Sequence, residues 1–322
     1  MRRLRILSLD GGGVRGAYSA AVLAVVEKQS KFPLVECFDL ITGTSTGGIL
    51  AIGMALGRSA TDLVGFYKEE AKSIFPPTGV LGGIARGTRQ MFAGPKHKSQ
   101  RLRDVLNRYF NGQQLGEART RLVINSYNAS RDGAHMFKTC HHEELDRHYR
   151  FLAADIALAT AAAPLYFEGT KLSLGDDGKA QIFLDGGIWA NCPTIVGITE
   201  AVRYLDTQIS EIHMLSVGTG YKPFAITKKQ VAGGVAQWRL ALKDLLLGAQ
   251  QAGAVGTANA ILGNRFKRIQ KVLEKDVPMD DPDAVDEMIK FGTEDGENEC
   301  EDVLRQFCDS AAEPFIPIVR LK

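Results

Sequence analysis

The chain has 322 residues, 45% hydrophobic and 24% charged, which is ordinary globular composition for one large α/β domain or two small ones. No stretch approaches the roughly 18 uninterrupted apolar residues of a membrane-spanning helix, and the apolar run after the basic Met1-Arg2-Arg3 ends at Asp10, which argues against a signal peptide and for a cytosolic chain. The net charge of +2 is unevenly spread: Asp276 to Glu313 holds 14 acidic residues against Lys290 and Arg305, leaving 37 basic and 23 acidic residues elsewhere, a surplus of 14.

In chain order, a strand over Arg5–Leu9 runs into Asp10-Gly11-Gly12-Gly13, and a helix over Ala17–Glu27 follows. A second strand, Phe38–Thr42, meets Gly43-Thr44-Ser45-Thr46-Gly47 and then a helix over Gly48–Leu56. Thr61–Lys72 reads as a helix capped by Thr61, and Ser99–Phe110 as one capped by Ser99. Strands over Arg121–Tyr127 and His135–Thr139 precede an alanine-rich helix, Leu152–Ala162, which Pro164 stops. The strand Gln181–Leu184 ends at Asp185-Gly186-Gly187. A helix over Pro193–Tyr204, a strand over Ile212–Val217 and a last apolar run, Phe315–Leu321, complete the pattern. This alternation predicts an α/β fold with a mostly parallel central sheet and helices on both faces.

Two segments read as peripheral. Pro76–Lys98 is rich in glycine, proline and basic residues, with apolar Val80, Leu81, Ile84, Met91 and Phe92, and reads as a lid or membrane-contact loop. Over Val235–Ile269, Val235, Trp238, Leu242, Leu245, Leu246 and Ala249 recur at helical spacing. That pattern predicts a helix with one side against the core or a second subunit, weakened by Gly248, Gly253 and Gly256. The five scattered cysteines form no C-x-x-C pair, so reduced thiols and no metal site are expected. The basic body suits an anionic partner, a phospholipid surface or a nucleotide; the plainer reading is two solvated faces that neutralise each other.

The motifs carry a consistent chemistry. Gly43–Gly47 is a G-x-S-x-G elbow between strand and helix, with Gly43 and Gly47 clearing the turn and Ser45 at a helix N-terminus. A serine hydroxyl needs a base within hydrogen-bonding distance. None of the six histidines sits in a turn that presents it to Ser45: His135 and His213 fall inside strands, His97 in the loop, and His141, His142 and His148 in polar stretches read as solvated. Asp185, at the end of an apolar strand where parallel sheets build their sites, is the better candidate, because partial desolvation makes it a stronger proton acceptor. The N–H groups of Gly11, Gly12 and Gly13, backed by a helix N-terminus and Arg15, can hold an oxyanion. Gly11-x-Gly13-x-x-Gly16 also fits the dinucleotide fingerprint, but Glu36 and Asp39 precede the second strand instead of ending it.

With these residues in place, the chain resembles the patatin-like phospholipases: the D-G-G-G-x-R-G loop is Asp10–Gly16, the G-x-S-x-G serine is Ser45, and the late D-G-G aspartate is Asp185. The likeness spans about Arg5 to Gly220, including Ala159–Pro164. It implies a three-layer α/β/α sandwich and hydrolysis of lipid acyl esters without metal or cofactor. It also implies a Ser45–Asp185 dyad and an oxyanion hole of Gly11, Gly12, Gly13 and Arg15. The domain organisation expected is a catalytic unit over 1–225 with a helical, acidic extension over 226–322 packed on it. Gly43–Ile49, Phe66-Tyr67, Ile74-Phe75-Pro76 and Asp185–Asn191 look like a bacterial subgroup that includes the cyclic-dinucleotide-activated phospholipase effectors of anti-phage signalling. That likeness implies a cyclic dinucleotide activator and action at the inner face of the cell membrane, with oligomerisation as one trigger and no DNA or RNA partner. The alternatives are a nucleotide-responsive binding protein without catalysis, and a Ser-His-Asp esterase on a different α/β fold.

Overall fold

The computed structural model describes residues 3–76, 95–174, 179–238 and 241–321. Among these, eight strands form one sheet: β1 (Leu4–Leu9), β2 (Leu40–Thr44), β3 (Arg121–Asn128), β4 (Gly133–Lys138), β5 (Thr170–Ser173), β6 (Ala180–Asp185), β7 (Ile212–Val217) and β8 (Phe266–Ile269). The order is β5-β6-β3-β2-β1-β7-β8, with β4 also on β3. The pairs β3-β2, β2-β1, β1-β7 and β7-β8 are parallel, whereas β4 and β6 run antiparallel to β3, and β5 antiparallel to β6.

The longer helices are α1 (Gly16–Gln29), α2 (Thr46–Ala55), α3 (Ala60–Ile74), α4 (Ser99–Phe110), α5 (Ala153–Thr160), α6 (Thr194–Tyr204), α7 (Leu242–Leu262) and α8 (Val285–Phe307). Side chains alternate along each strand, so the sheet feeds two cores. Leu4 and Ile6 of β1 join Ile198 and Ala201 of α6 and Ala258 and Leu262 of α7, while Leu7 and Leu9 join the larger core under α1, α2, α5 and α8. The result is three layers, helix on sheet on helix. From the 226–322 region, β8 extends the sheet and α8 packs along α1, where a Cβ on Gly292 would lie 2.3 Å from the Tyr18 carbonyl oxygen. The acidic residues of α8 meet the cations of the body at close range: Lys267 lies 2.7 Å from Glu299, and Lys271 lies 3.1 Å from Asp295.

Several local expectations differ. The cap of α3 is Ser59, whose side chain accepts from Asp62 N–H while Asp62 accepts from Ser59 N–H, so Thr61 is already inside the helix. Ser99 is the first residue of α4, not its cap, and its hydroxyl accepts from Glu168 N–H instead. Phe315–Leu321 forms no strand, although Ile318 N–H reaches the Cys140 carbonyl. The helix expected over Val235–Ile269 is a single turn, Val235–Trp238, then α7, then β8. Within α7 the glycine-containing second half supplies the buried residues, Ala258 and Leu262, while Leu242 and Leu246 stay exposed. Of the segment read as a lid, 77–94 lies outside the described residues.

Candidate active site

Ser45 follows the last residue of β2 at φ 54 and ψ −122, and α2 begins at the next residue. This left-handed position is one that a non-glycine residue holds only when its surroundings force it. The forcing is visible here. All ten residues of α2 are buried. The turn brings α2 so close to the strand ends that a Cβ on Gly47 would lie 2.2 Å from the Leu9 carbonyl oxygen, and one on Gly43 2.3 Å from that of Gly47. The Ser45 N–H donates to Thr160 Oγ1 at 2.9 Å, which pins the turn from α5.

Asp185 reaches Ser45 through the register of β3. β2 pairs with β3 up to Thr44 opposite Asn125, and β6 takes over at the next position, with Asp185 opposite Ser126. β4 occupies the other edge of β3 over both stretches. β2 and β6 therefore share one edge, run in opposite directions and meet end to end. In sequence Asp185 reads as the end of a parallel strand; β6 is antiparallel to β3, and that reversal brings the ends of β2 and β6 together. Across 140 positions of sequence, Ser45 Oγ donates to Asp185 Oδ2 at 2.7 Å. Asp185 Oδ1 accepts the Gly187 N–H at 2.7 Å. The carboxyl is buried, and desolvation pushes its pKa up from 3.8 to about 6, against the opposing hydrogen bonds from Ser45 and Gly187.

The glycine loop divides its work unevenly. Gly11 N–H donates to the Asn191 carbonyl at 3.0 Å, and the Gly11 carbonyl accepts from Thr219 Oγ1 at 3.1 Å. Gly11 is thus spent on holding the loop to its neighbours. The N–H groups of Gly12 and Gly13 have no protein acceptor among the described residues, and both glycines line the cavity over Ser45. Arg15 directs Nε to the Gly12 carbonyl at 3.4 Å and is not part of the cavity wall. Burial lowers its pKa, with Asp276 and Asp244 opposing.

Beneath the loop, Arg268 of β8 holds Asp10 with both terminal nitrogens, Nη1 to Oδ1 at 3.1 Å, and reaches Ser216 Oγ at 2.6 Å. Burial alone would lower the Arg268 pKa; the Asp10 charge outweighs it and holds it above its ordinary value. Nothing local in the sequence marks Arg268 or Gln250, and the Ala159–Pro164 stretch gives no sign that Thr160 holds the Ser45 N–H. Gln250 of α7 accepts the Asn191 N–H at 2.6 Å and so ties α7 to the loop after Asp185. Asn191 stands in the Asp185–Asn191 stretch but carries no motif that reveals its bond to Gly11.

The cavity has a volume of about 340 Å³. Ser45, Asp185, Gly12 and Gly13 form its polar end, and Ile49, Phe66, Ile74, Phe75, Leu102 and Phe167 are among its apolar walls. None of the six histidines lines it. His97, in the segment read as a loop, bonds Asp280 at 2.7 Å, and His141 bonds Glu200 at 2.9 Å; both are buried, although the polar surroundings of His141 in sequence suggest a solvated ring. Desolvation pushes His135 down to about 4 and His148 to about 3.

Comparison with known proteins agrees with this architecture. Residues 7–198 match the patatin-like phospholipase family. A cGAMP-activated phospholipase of Pseudomonas aeruginosa is 34% identical over 268 residues, spanning 82% of this chain and 77% of that protein. A cGAMP-activated phospholipase of Vibrio cholerae is 34% identical over 246 residues, spanning 72% and 68%. Among solved structures, VipD from Legionella pneumophila aligns with a TM-score of 0.45 at 13% identity, over 94% of this chain and 67% of VipD. The family model covers more than half of the chain, including most of the sheet and all three motif-bearing turns, and the chain belongs to the patatin-like phospholipase family.

Proposed function

We propose that the chain hydrolyses fatty-acyl esters of membrane phospholipids, with Ser45 as nucleophile and Asp185 as its base, and that a cyclic dinucleotide controls it. The observation that carries this is the 2.7 Å bond between Ser45 Oγ and Asp185 Oδ2 at the polar end of an apolar cavity. Asp185 takes the hydroxyl proton as Ser45 Oγ attacks the ester carbonyl carbon. The oxyanion is received by Gly12 and Gly13 N–H, where a donor of this kind is worth about 3 kcal/mol. The tetrahedral adduct collapses, and the departing lysolipid oxygen takes the proton from Asp185. Water then attacks the acyl-serine with Asp185 again as base, releasing the fatty acid and restoring Ser45.

The apolar walls suit an acyl chain. The proposed substrate is met at the inner face of the cell membrane; among the described residues no helix is long and apolar enough to cross a membrane. Regulation by a cyclic dinucleotide is supported by the names of the Pseudomonas and Vibrio relatives and by the basic surplus outside 276–313. The unit over 1–225 is proposed to supply this chemistry, with 226–322 buttressing it through Arg268 and α8.

The test is fatty-acid release from mixed phospholipid vesicles by the native chain and by Ser45→Ala, each with and without cGAMP. The expected result is release that rises with the nucleotide and is absent from the variant. Release by Ser45→Ala would remove the nucleophile assignment. A native enzyme indifferent to cGAMP, and to a panel of other cyclic dinucleotides in the same assay, would remove the regulation and leave the hydrolase.

A further inference from the structure

Five non-glycine residues among those described have a positive φ: Ser45, Asn111, Asp132, Leu165 and Asp206. Asparagine and aspartate tolerate that region because their short polar side chains bond locally. Ser45 is held there by the elbow. Leu165 has neither reason. It sits at φ 72 behind Pro164, in a turn closed by the Tyr166 N–H to the Ala163 carbonyl at 3.0 Å, the corner where a type II turn asks for glycine. Packing does not compensate it, since 62% of its surface is exposed. A bulky apolar residue held in strain and in the open points to a working site.

Its neighbours share the exposure. Leu165, Ile188 and Leu246 line the cavity that holds Ser45, yet Ile188 is 44% and Leu246 59% exposed. Leu242, one helical turn before Leu246, is 45% exposed. Three separate segments thus carry the apolar wall of the cavity out to its rim. Among the described residues, Lys96 and Lys243 at the rim are matched locally. Lys96 lies 2.6 Å from Asp280 and Lys243 lies 3.4 Å from Asp244, with both ammonium groups over the Tyr166 ring.

We propose that this rim docks the protein on a phospholipid bilayer, with Leu165 as the leading wedge among the acyl chains. The inference rests on the lipid-hydrolase reading above and names the surface through which that site meets its substrate. Docked in this way, the cavity opens onto lipid, and an acyl chain passes from bilayer to Ser45 without crossing water. Because the two lysines of the described rim each have a carboxylate partner, apolar burial drives the contact. Binding is therefore similar on zwitterionic and anionic surfaces and responds weakly to salt.

The test measures partitioning of the full chain carrying Ser45→Ala, so that vesicles stay intact. The vesicles are phosphatidylcholine alone and phosphatidylcholine mixed with phosphatidylglycerol, with and without cGAMP. Adding Leu165→Asp is expected to weaken partitioning about tenfold or more on both vesicles. Adding Leu165→Gly is expected to weaken partitioning while raising Tm, a split that a purely structural leucine would not produce. Unchanged partitioning in Leu165→Asp overturns the proposal. So does binding confined to the anionic vesicles and abolished by salt, or a dimer that Leu165→Asp dissociates without loss of vesicle binding. Fatty-acid release from detergent-dispersed phospholipid by the chain with its native Ser45 separates the two readings: failure there with partitioning intact strikes the hydrolase and leaves the docking surface.

Discussion

Replacing Asp185 by asparagine is expected to make the protein more stable and nearly inactive. The side chains are almost isosteric, and the asparagine carbonyl oxygen can keep the Gly187 N–H that Oδ1 now accepts. What the asparagine cannot do is ionise. Burial holds the Asp185 carboxyl at about 6, above its ordinary 3.8. A raised carboxyl pKa means that the folded protein binds this proton more tightly than the unfolded chain. The stability so contributed is present in full below about 4 and is lost as pH rises through about 6. At about 1.4 kcal/mol per pH unit, the loss at neutral pH is on the order of 3 kcal/mol. Asparagine avoids it, which for a chain of this size is a Tm gain of about 5 °C at about pH 8 and little gain at about pH 4. Turnover moves the other way, because the amide cannot accept the Ser45 proton; fatty-acid release is expected to fall by about 10³-fold or more. Calorimetry at the two pH values, paired with the vesicle assay, reads both effects. A variant that melts below the native protein at about pH 8, or gains equally at both pH values, would refute the burial argument. A variant that keeps its turnover would refute the base.

Three further outcomes follow from the same geometry. In native enzyme, kcat/KM is expected to climb with pH through about 6, as Asp185 loses its proton, and to stay level through about pH 8, with no histidine limb; a limb that a histidine substitution abolishes would restore the triad reading. Arg268→Met leaves Asp10 buried without its partner and should cost about 3–5 kcal/mol in denaturant unfolding. Asp10→Asn added to Arg268→Met should recover much of that loss, and no recovery would mean that the pair is not what Arg268 supports. Gly12→Ala puts a Cβ 2.2 Å from Thr219 Oγ1, so the loop must shift and turnover should drop about 100-fold, whereas unchanged turnover would take Gly12 out of the oxyanion site.

The parts of the site that could be read from the sequence are those built by neighbours in the chain. The elbow is a five-residue event: strand, Gly43, Ser45, Gly47, helix, and its backbone strain follows from that local order. Asp185 was visible as a carboxylate closing an apolar run. The direction of β6 was not, because a run of alternating residues carries no sign of which neighbour it pairs with. β8 does not read as a strand because Phe266-Lys267-Arg268-Ile269 places two cations inside it; they belong there only because Glu299, Asp302 and Asp10 wait at distant positions. The partners of His97 and His141 are hidden for the same reason, since Asp280 and Glu200 stand far along the chain. In sequence Gly11, Gly12 and Gly13 are three equivalent donors, but in the fold a carbonyl from Asn191 occupies the first of them.

The end-to-end meeting of β2 and β6 also bears on how one carboxylate can serve without a histidine. An imidazole takes up and returns the proton at one nitrogen and needs a third group on the other to hold its ring. Asp185 needs no such partner: its backbone N–H is bonded to the Ala162 carbonyl at 3.0 Å, and its Oδ1 is held by Gly187. Only Oδ2 is left to exchange protons, and it already faces Ser45 Oγ. Once Oγ carries an acyl group it can no longer donate, so Oδ2 is free on the side open to the cavity, where the hydrolytic water must come. The same atom therefore serves both halves of the proposed reaction without the side chain turning. A base fixed this firmly requires the nucleophile to be fixed equally well, which is the physical reason for holding Ser45 at φ 54 between a buried helix and the Thr160 hydroxyl.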